Sequence, residues 1–343
     1  MRPLSAARPR LPLAACALLA GGCVGTGVQD VLAPRGPQAE RIADWFWISF
    51  ALAVAVFVAF VAVLAYGLLR ARRLGERNEL PPAHGRNLVL WGGLVVPTAI
   101  LLVLLVLSAY TDRRISRLGR GAGPEPLTIE VVGEQFWWQV RYLDPAHPHR
   151  EFTTANEIHV PTGRPVRLLL ESRDVIHSFW VPNLHGKTDL IPGRTNDMVL
   201  QADEPGVYRG QCAEFCGVQH AKMALELVAL PPDQFDAWWD RQVLPHGPPE
   251  SEEAAIGEQV FMRNGCALCH AIRGTPAFGT AGPSLSHFGT RRTIAAGTLP
   301  NTRGHLGGWI ADPQGVKPGT YMPAVPLQGH ELRALITYLH SLR

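Results

Sequence analysis

Cysteine is too scarce in this chain to build a disulfide scaffold. Only six cysteines occur among 343 residues, whereas small secreted domains that rely on disulfides carry a much denser set. The chain also lacks internal repeats and low-complexity segments, which excludes solenoids and repeat arrays. The six cysteines form three pairs, two of which are followed by other metal-binding side chains: Cys16 and Cys23, Cys212 and Cys216, Cys266 and Cys269.

The middle pair belongs to a twelve-residue segment that is rich in soft metal ligands. Cys212 and Cys216 are followed by His220 and Met223, and His177 lies upstream. Thiolate, thioether and imidazole together favour copper, zinc or iron. A disulfide would leave the histidines and the methionine unexplained, and zinc rarely takes a thioether. Two cysteines four apart can bridge two metals, so we predict a dinuclear copper electron-transfer site.

The last pair forms the motif Cys266-Ala-Leu-Cys269-His270, which is typical of covalent attachment of a c-type haem. A thioredoxin-like dithiol is the alternative, but no βαβ pattern surrounds the motif. Met322 lies in a downstream Pro-Gly loop and is the predicted distal ligand, since Met/His pairs are usual in electron transfer. Met262, eight residues before His270, is the competing candidate and is expected to pack in a helix.

Two apolar stretches are long enough to cross a bilayer. Residues 45–69 and 88–111 contain no charged side chain over 25 and 24 residues, and about 20 residues suffice. Neither stretch has a polar face, which argues against buried helices of a soluble core. The sequence therefore predicts a transmembrane hairpin over residues 40–115.

The segment before the hairpin resembles a secretory signal. Arginines precede an apolar run over 11–20, and Gly-Gly-Cys23 follows it, which predicts a signal peptide over 1–23 with Cys23 as a candidate lipidation site. Cys16 is a competing site after too short a run. Five arginines lie in the loop before the second span and four lie just after it, so the distribution of positive charge does not decide which side of the membrane the loop faces. An exported N-terminus would leave the C-terminal half on the periplasmic or extracellular side.

The rest of the chain divides into a β-rich part and a helical part. Short β-rich runs between Pro and Gly turns predict an all-β sandwich or barrel over 124–244, with a short closing helix at its end. A proline-rich linker over 245–250 follows, and 251–343 predict a small helical domain. The predicted strands are 127–132, 137–142, 157–160, 166–171, 198–200 and 224–229.

Together these motifs resemble a known family. From the first span to its C-terminus the chain resembles cytochrome c oxidase subunit II, in the subgroup with a fused C-terminal cytochrome c. The resemblance implies a multi-domain membrane protein: a two-helix transmembrane hairpin, an all-β cupredoxin barrel of Greek-key topology and an all-α class I cytochrome c domain. It rests on four segments: Asp174–Pro182, Ile191–Arg194, Gln211–Met223 and Cys266–His270.

The resemblance also implies what each ligand does. In the dinuclear copper centre CuA, the bridging thiolates would be Cys212 and Cys216. The terminal imidazoles would be His177 and His220. The axial groups would be Met223 and the Glu214 carbonyl. The Glu214 carboxylate would reach a magnesium or manganese ion at the boundary with subunit I. Haem c would be held by Cys266, Cys269, His270 and Met322. Asp174 is expected either in solvent or at that same boundary, and His159, His185 and His287 are expected at the surface or in structural roles.

Two positions depart from the family pattern. Many relatives place a tryptophan after Gly-x-Gln as the acceptor of electrons from soluble cytochrome c, but Phe136 stands here, followed by Trp137 and Trp138. Many relatives also have a glutamate three residues before the tryptophan of the second span, where this chain has Leu88 before Trp91. The departures predict a changed route for incoming electrons and no proton role for this segment.

The implied function is electron input to a respiratory oxidase. Electrons would pass from cytochrome c or a similar donor through haem c and CuA to subunit I, which reduces oxygen to water with proton translocation. The chain has no histidine-rich helices that could form the oxygen-reducing site itself. The implied partners are the membrane, subunit I, other oxidase subunits and the donor, with no nucleic acid. A nitric-oxide reductase subunit or a tethered carrier without an enzyme partner remain alternatives, whereas a nitrous-oxide reductase would need a large histidine-rich domain.

The two exported domains differ in charge. Residues 124–244 contain 17 acidic and 10 basic side chains, a net of −7, and residues 251–343 contain 5 and 8, a net of +3. This arrangement predicts that the basic domain docks on the acidic one, with Arg291 and Arg292 at the contact. The alternative is that both sets of charges are solvated faces.

Overall fold

The computed structural model describes residues 28–74, 82–118 and 126–343. The predicted signal segment, with Cys16 and Cys23, lies outside the described residues. Helix α1 spans Pro37–Leu74, α2 spans Pro82–Leu90, a π-helical turn covers Trp91–Val95, and α3 continues over Val96–Arg117. Two helical stretches, Pro37–Arg73 and Gly85–Arg117, are long and apolar enough to cross a membrane, and their apolar windows are unburied. They coincide with the two predicted spans.

A ten-stranded β-sandwich follows the helices. One sheet has the strand order β3-β2-β1-β5-β8 and the other β4-β10-β9-β6-β7, and the pairs β1/β5 and β4/β10 are parallel. The strands are β1 Leu127–Glu134, β2 Trp137–Leu143, β3 Phe152–Ala155, β4 Glu157–Pro161, β5 Val166–Ser172, β6 His177–Trp180, β7 Thr188–Leu190, β8 Asn196–Leu200, β9 Gly206–Cys212 and β10 Ala224–Leu230.

All six predicted strands form, and the alternation of their side chains explains why. In β2, Trp138, Val140 and Tyr142 are buried while the residues between them face outward, as the two-residue period of a strand requires. Four strands were not predicted, namely β3, β6, β7 and β9. The first three are only three or four residues long, which is too short for a periodic signal. β9 continues to Cys212, so this cysteine ends a strand instead of lying in the loop after it.

A short helix closes one end of the sandwich. Helix α4, Pro232–Gln242, buries Trp238 and Trp239, and both rings lie 5.3 Å from the ring of Tyr142. Edge-to-face aromatic pairs of this kind add to the stability that burial alone provides. The helix thereby holds the strand end opposite the metal-binding loops.

The C-terminal part is helical. Helices α5 and α9 pack against each other around buried Phe261, Leu335 and Tyr338. Ser251 accepts a hydrogen bond from the Ala254 amide and caps α5, which fixes where this helix begins. The helices are α5 Glu252–Arg263, α6 Cys266–Cys269, α7 Arg303–Ala311, α8 Pro313–Val316 and α9 Gly329–Ser341, with the strands β11 Thr293–Ile294 and β12 Leu299–Pro300 between α6 and α7.

Candidate copper centre and haem-binding segment

Three of the predicted copper-ligand residues lie on neighbouring parts of one sheet. His177 begins β6, Cys212 ends β9, and Met223 directly precedes β10. The Cys212 amide donates to the Met223 carbonyl at 2.8 Å, and the Ala213 amide donates to the Ser178 carbonyl at 2.9 Å. These backbone bonds fix both ends of the loop, so its ligands are held by the sandwich.

All six predicted donor atoms converge. The Sγ atoms of Cys212 and Cys216 are 3.8 Å apart, much farther than the ~2.05 Å of a disulfide, and both thiols are free. Each sulfur has its own imidazole, with Nδ1 of His177 3.8 Å from Cys212 and Nδ1 of His220 3.7 Å from Cys216. The axial candidates are the Met223 Sδ, 3.8 Å from the Cys216 Sγ, and the Glu214 carbonyl, 3.1 Å from the Cys212 Sγ.

A hydrogen bond joins the two thiols. The hydrogen bond between them lowers the pKa of Cys212 and raises the pKa of Cys216. Thiolates are the form that binds metal, so metal binding would displace the remaining proton. Two thiolates, two imidazoles and a thioether form a soft donor set, which fits copper and leaves no role for a hard cation between the sulfurs.

Asp174 orients the histidine at this centre. Its Oδ1 lies 2.8 Å from His177 Nε2, and its Oδ2 accepts the Gln135 amide at 2.7 Å. Burial lowers the pKa of His177, but the hydrogen bonds with Cys212 and Asp174 outweigh it and raise the pKa overall. A carboxylate behind a ligating histidine fixes the tautomer that leaves Nδ1 free for metal. The two expectations for Asp174, exposure to solvent and a place at the boundary with subunit I, did not include this contact with His177.

Glu214 places its two oxygen groups differently. The Glu214 carbonyl lies close to the Cys212 sulfur, whereas the residue as a whole is exposed. Phe215 and Val218 in the same loop are also exposed. The same loop therefore presents a carboxylate and two apolar side chains outward.

The haem-attachment motif lies on the short helix α6 and the residue after it. Cys266 is half-buried and Cys269 is exposed. His270 Nδ1 lies 2.7 Å from the Pro283 carbonyl, which leaves Nε2 as the free nitrogen. A Cβ on Gly282 would come within 2.8 Å of the His270 ring, so only glycine fits at that position. Burial lowers the pKa of His270 and keeps the imidazole neutral, the form that binds iron.

The two candidate distal methionines occupy different settings. Met262 lies within α5, as expected for a residue that packs in the first helix. Met322 lies in the segment between α8 and α9, where Gln314 Nε2 donates to the carbonyls of Thr320 and Met322 at 2.7 and 3.3 Å. Gln314 thus shapes the loop that carries Met322, a role no local sequence pattern indicates. The choice of Met322 as distal ligand stays a prediction.

Comparison with known proteins identifies the family of the chain. The family described as "Cytochrome C oxidase subunit II, periplasmic domain" matches residues 145–230, and the family "Cytochrome c" matches 254–343. Cytochrome c oxidase subunit 2 of Alkalihalophilus pseudofirmus is 40% identical over 341 residues, which cover 97% of this chain and 96% of that protein. The chain belongs to the cytochrome c oxidase subunit 2 family. It is a subunit of a haem–copper oxidase with an electron-input role.

Two further relatives extend the comparison. Cytochrome c oxidase subunit 2 of Bacillus subtilis is 30% identical and covers 97% of each chain. The crystal structure of the periplasmic domain of subunit II of cytochrome oxidase of Bradyrhizobium japonicum is 32% identical, covers 34% of this chain and 94% of that one, and has a TM-score of 0.31. Copper and haem c follow from the two families, and the subunit 2 chain is membrane-anchored with a periplasmic domain.

In this subunit 2 chain, the loop before Met322 packs on the copper loop. Lys317, only 2% exposed, donates from Nζ to the Phe136 carbonyl at 2.6 Å. Gln219 Nε2 donates to the Pro318 carbonyl at 2.7 Å, and Lys222 Nζ donates to the Val316 carbonyl at 2.5 Å. Gln219 and Lys222 thus fasten the two metal-site loops together, and Lys317 fastens the loop before Met322 to the turn between β1 and β2.

Charged residues make a second contact between the domains. Arg292 Nε donates to Glu226 at 2.9 Å, and the Arg292 amide donates to Glu157 at 2.5 Å. The prediction that Arg292 lies at the contact is therefore confirmed. Arg291 is half-buried and donates to the Ser284 carbonyl within its own domain and to Thr154 across the interface. Arg273 donates to the carbonyls of residues 149 and 151.

The remaining histidines have structural surroundings, as predicted. His159 stacks on Trp238 with ring centroids 4.2 Å apart, and burial lowers its pKa to about 3. His185 is half-buried, and His287 Nε2 lies 3.3 Å from the Leu244 carbonyl.

Proposed function

We propose that this chain accepts electrons from a cytochrome c-type donor at its C-terminal domain and passes them through a dinuclear copper centre to the oxygen-reducing subunit, with proton translocation in that partner. The proposal rests on the convergence of six donor atoms, two of which are the sulfurs of Cys212 and Cys216. The residues that would hold the copper pair are His177, Cys212, Glu214 through its carbonyl, Cys216, His220 and Met223. Cys266, Cys269, His270 and Met322 would hold haem c.

The bound groups would supply one-electron carriers, two coppers with shared charge and one haem iron. The chain supplies rigid geometry around them. Cys212 is anchored at a strand end, and the His177 ring is held by Asp174, so the ligands keep their places when the charge changes. A preorganised site needs little rearrangement for each electron.

The exposed surface of the copper loop suits contact with a membrane partner. Phe215 and Val218 are each 76% exposed and flank the loop that carries the Glu214 carboxylate. We propose that this surface faces subunit I and that the carboxylate contributes to a magnesium or manganese site there, since carboxylates are hard ligands that suit such ions. The hairpin α1–α3 would place the surface beside the membrane, with both exported domains on its outer side.

The test is to purify the native complex and identify its largest partner, its metals and its substrate. We expect two coppers and one covalent haem per chain, and oxygen consumption driven by reduced cytochrome c. Consumption of nitric oxide in place of oxygen would make the chain a nitric-oxide reductase subunit. Isolation of the chain without a large partner would make it a tethered electron carrier.

A further inference from the structure

One side chain connects the two metal-binding loops directly. Gln135 lies between β1 and β2, and its Nε2 donates to the Cys216 carbonyl at 2.6 Å. Its Oε1 accepts the hydroxyl of Tyr321 at 3.0 Å. Cys216 is a copper-ligand residue, and Tyr321 directly precedes Met322. A single amide therefore joins the two loops through hydrogen bonds at both of its ends.

Gln135 is held in place at the copper side. Its backbone amide donates to Asp174, the carboxylate that also orients His177. Gly217 adopts a φ of +128°, and a Cβ there would lie 2.9 Å from Gln135 Nε2 and 3.1 Å from the Phe136 ring. Glycine at 217 thus allows the amide to lie against the copper loop, and the hydrogen bond to Cys216 is short because of this close approach.

Other contacts between these loops are less direct. Gln219 and Lys222 reach the chain at Pro318 and Val316, four and six residues before Met322. Their bonds hold the loops together but end on backbone far from the predicted distal ligand. The contact through Gln135 ends on the residue beside that ligand and begins on Cys216 itself. It is therefore the shortest bonded connection among these contacts.

We propose that Gln135 and Tyr321 form a bridge that positions the two loops and couples the two redox centres electronically. This inference rests on the proposed function. In each forward transfer one electron leaves the ferrous haem, which becomes ferric, and enters the oxidised copper pair. No bond is broken and no proton crosses the bridge. Both residues are positioning residues, since neither is a metal ligand.

The experiment uses the full-length chain in the purified, metal-loaded complex. A ruthenium complex that is excited by a laser flash injects one electron into haem c, and the rate of copper reduction is recorded. Tyr321→Phe removes only the hydroxyl of a side chain that is 75% exposed, so the fold should be retained. Gln135→Leu removes both hydrogen bonds at similar volume. Arg273→Met is the matched control, because it removes a contact between the same domains that does not touch the bridge.

We expect Tyr321→Phe and Gln135→Leu each to slow the transfer on the order of tenfold, equivalent to about 1.4 kcal/mol of barrier, and Arg273→Met to leave it near the wild-type rate. The double variant should be no slower than the slower single variant, because both act on one bridge and their effects are not additive. Midpoint potentials of both centres and the paramagnetic resonance spectrum of the copper pair should not change, which separates coupling from damage to either site.

If both single variants transferred electrons from haem to copper at the wild-type rate, the proposed bridge would be wrong. Equal slowing in Arg273→Met would also overturn it, because docking alone would then account for the rate. Failure of the proposed function gives a different result: the wild-type chain would lack the dinuclear copper spectrum or would show no transfer from haem to copper.

Discussion

Reversal of the charge at Arg292 should weaken docking of the C-terminal domain on the β-sandwich. The Arg292 side chain is 56% exposed and its partner Glu226 is 14% exposed, so we treat the pair as a surface ion pair worth about 0.2–1 kcal/mol. Arg292→Glu would replace it with a repulsive contact of similar size. We expect a total loss of about 0.4–2 kcal/mol, and 1.4 kcal/mol within this range corresponds to a tenfold change in the docked-to-undocked ratio.

A single amide can report this equilibrium. The Ala224 N–H donates across the interface to the Ala296 carbonyl at 3.0 Å, so its hydrogen exchange requires the domains to separate or open locally. In Arg292→Glu this amide should exchange about tenfold faster at low salt. At physiological salt, where the screening length is ~8 Å, the difference should shrink. The charge swap that adds Glu226→Arg should restore slow exchange.

Unchanged exchange at Ala224 in Arg292→Glu at low salt would refute this reasoning. Faster exchange that the swapped pair does not correct would also refute it, because the effect would then not come from the ion pair. In either case the uncharged contacts of the loop before Met322 would be sufficient to hold the domains together.

Three further predictions concern the metal sites and the interface. Cys216→Ser should abolish the delocalised mixed-valence signal in electron paramagnetic resonance, since it removes one of the two thiolates that would hold the copper pair; persistence of the signal would contradict the assignment. Met322→Ala should remove the sulfur-to-iron absorption band and lower the haem potential, whereas the same result in Met262→Ala alone would reverse the choice of ligand. Burial lowers the pKa of Lys317 from its ordinary value of 10.5 to about 7, so docking releases a proton between these values and should strengthen as pH rises from about 7 to 10. Exchange at the interface amide measures this, and Lys317→Met should remove the pH dependence.

The residues proposed as copper ligands could be singled out from the sequence because their chemistry and spacing are local. Three of the donor side chains lie within twelve residues of Cys212, and only His177 comes from a distant strand. The strand pattern was visible in β2 and β5, which alternate between buried and more exposed side chains over seven residues, whereas β9 was missed although it is equally long.

The supporting contacts could not be predicted because they join distant parts of the chain. Lys317 is separated from Phe136 by 181 residues, and Tyr321 from Gln135 by 186. No periodicity or motif encodes such pairs. The two neighbouring arginines show the same limit: Arg292 lies at the surface of the contact, whereas Arg291 is half-buried and desolvation lowers the pKa of its guanidinium to about 10. The net charge of the domain predicted both arginines at the contact, and only the packing of the folded chain distinguishes them.

The covered position of Phe136 has a kinetic consequence. Phe136 is 5% exposed, and its carbonyl is bound by Lys317 of the C-terminal domain. A soluble protein that docks specifically needs about 800 Å² of free surface on its partner, and here contacts from the chain's own C-terminal domain already lie beside Phe136 and on the copper loop. Reduction of the copper centre should therefore be first order and independent of donor concentration, while only the reduction of haem is bimolecular. At this position an aromatic ring need only fill space, which phenylalanine does as well as tryptophan.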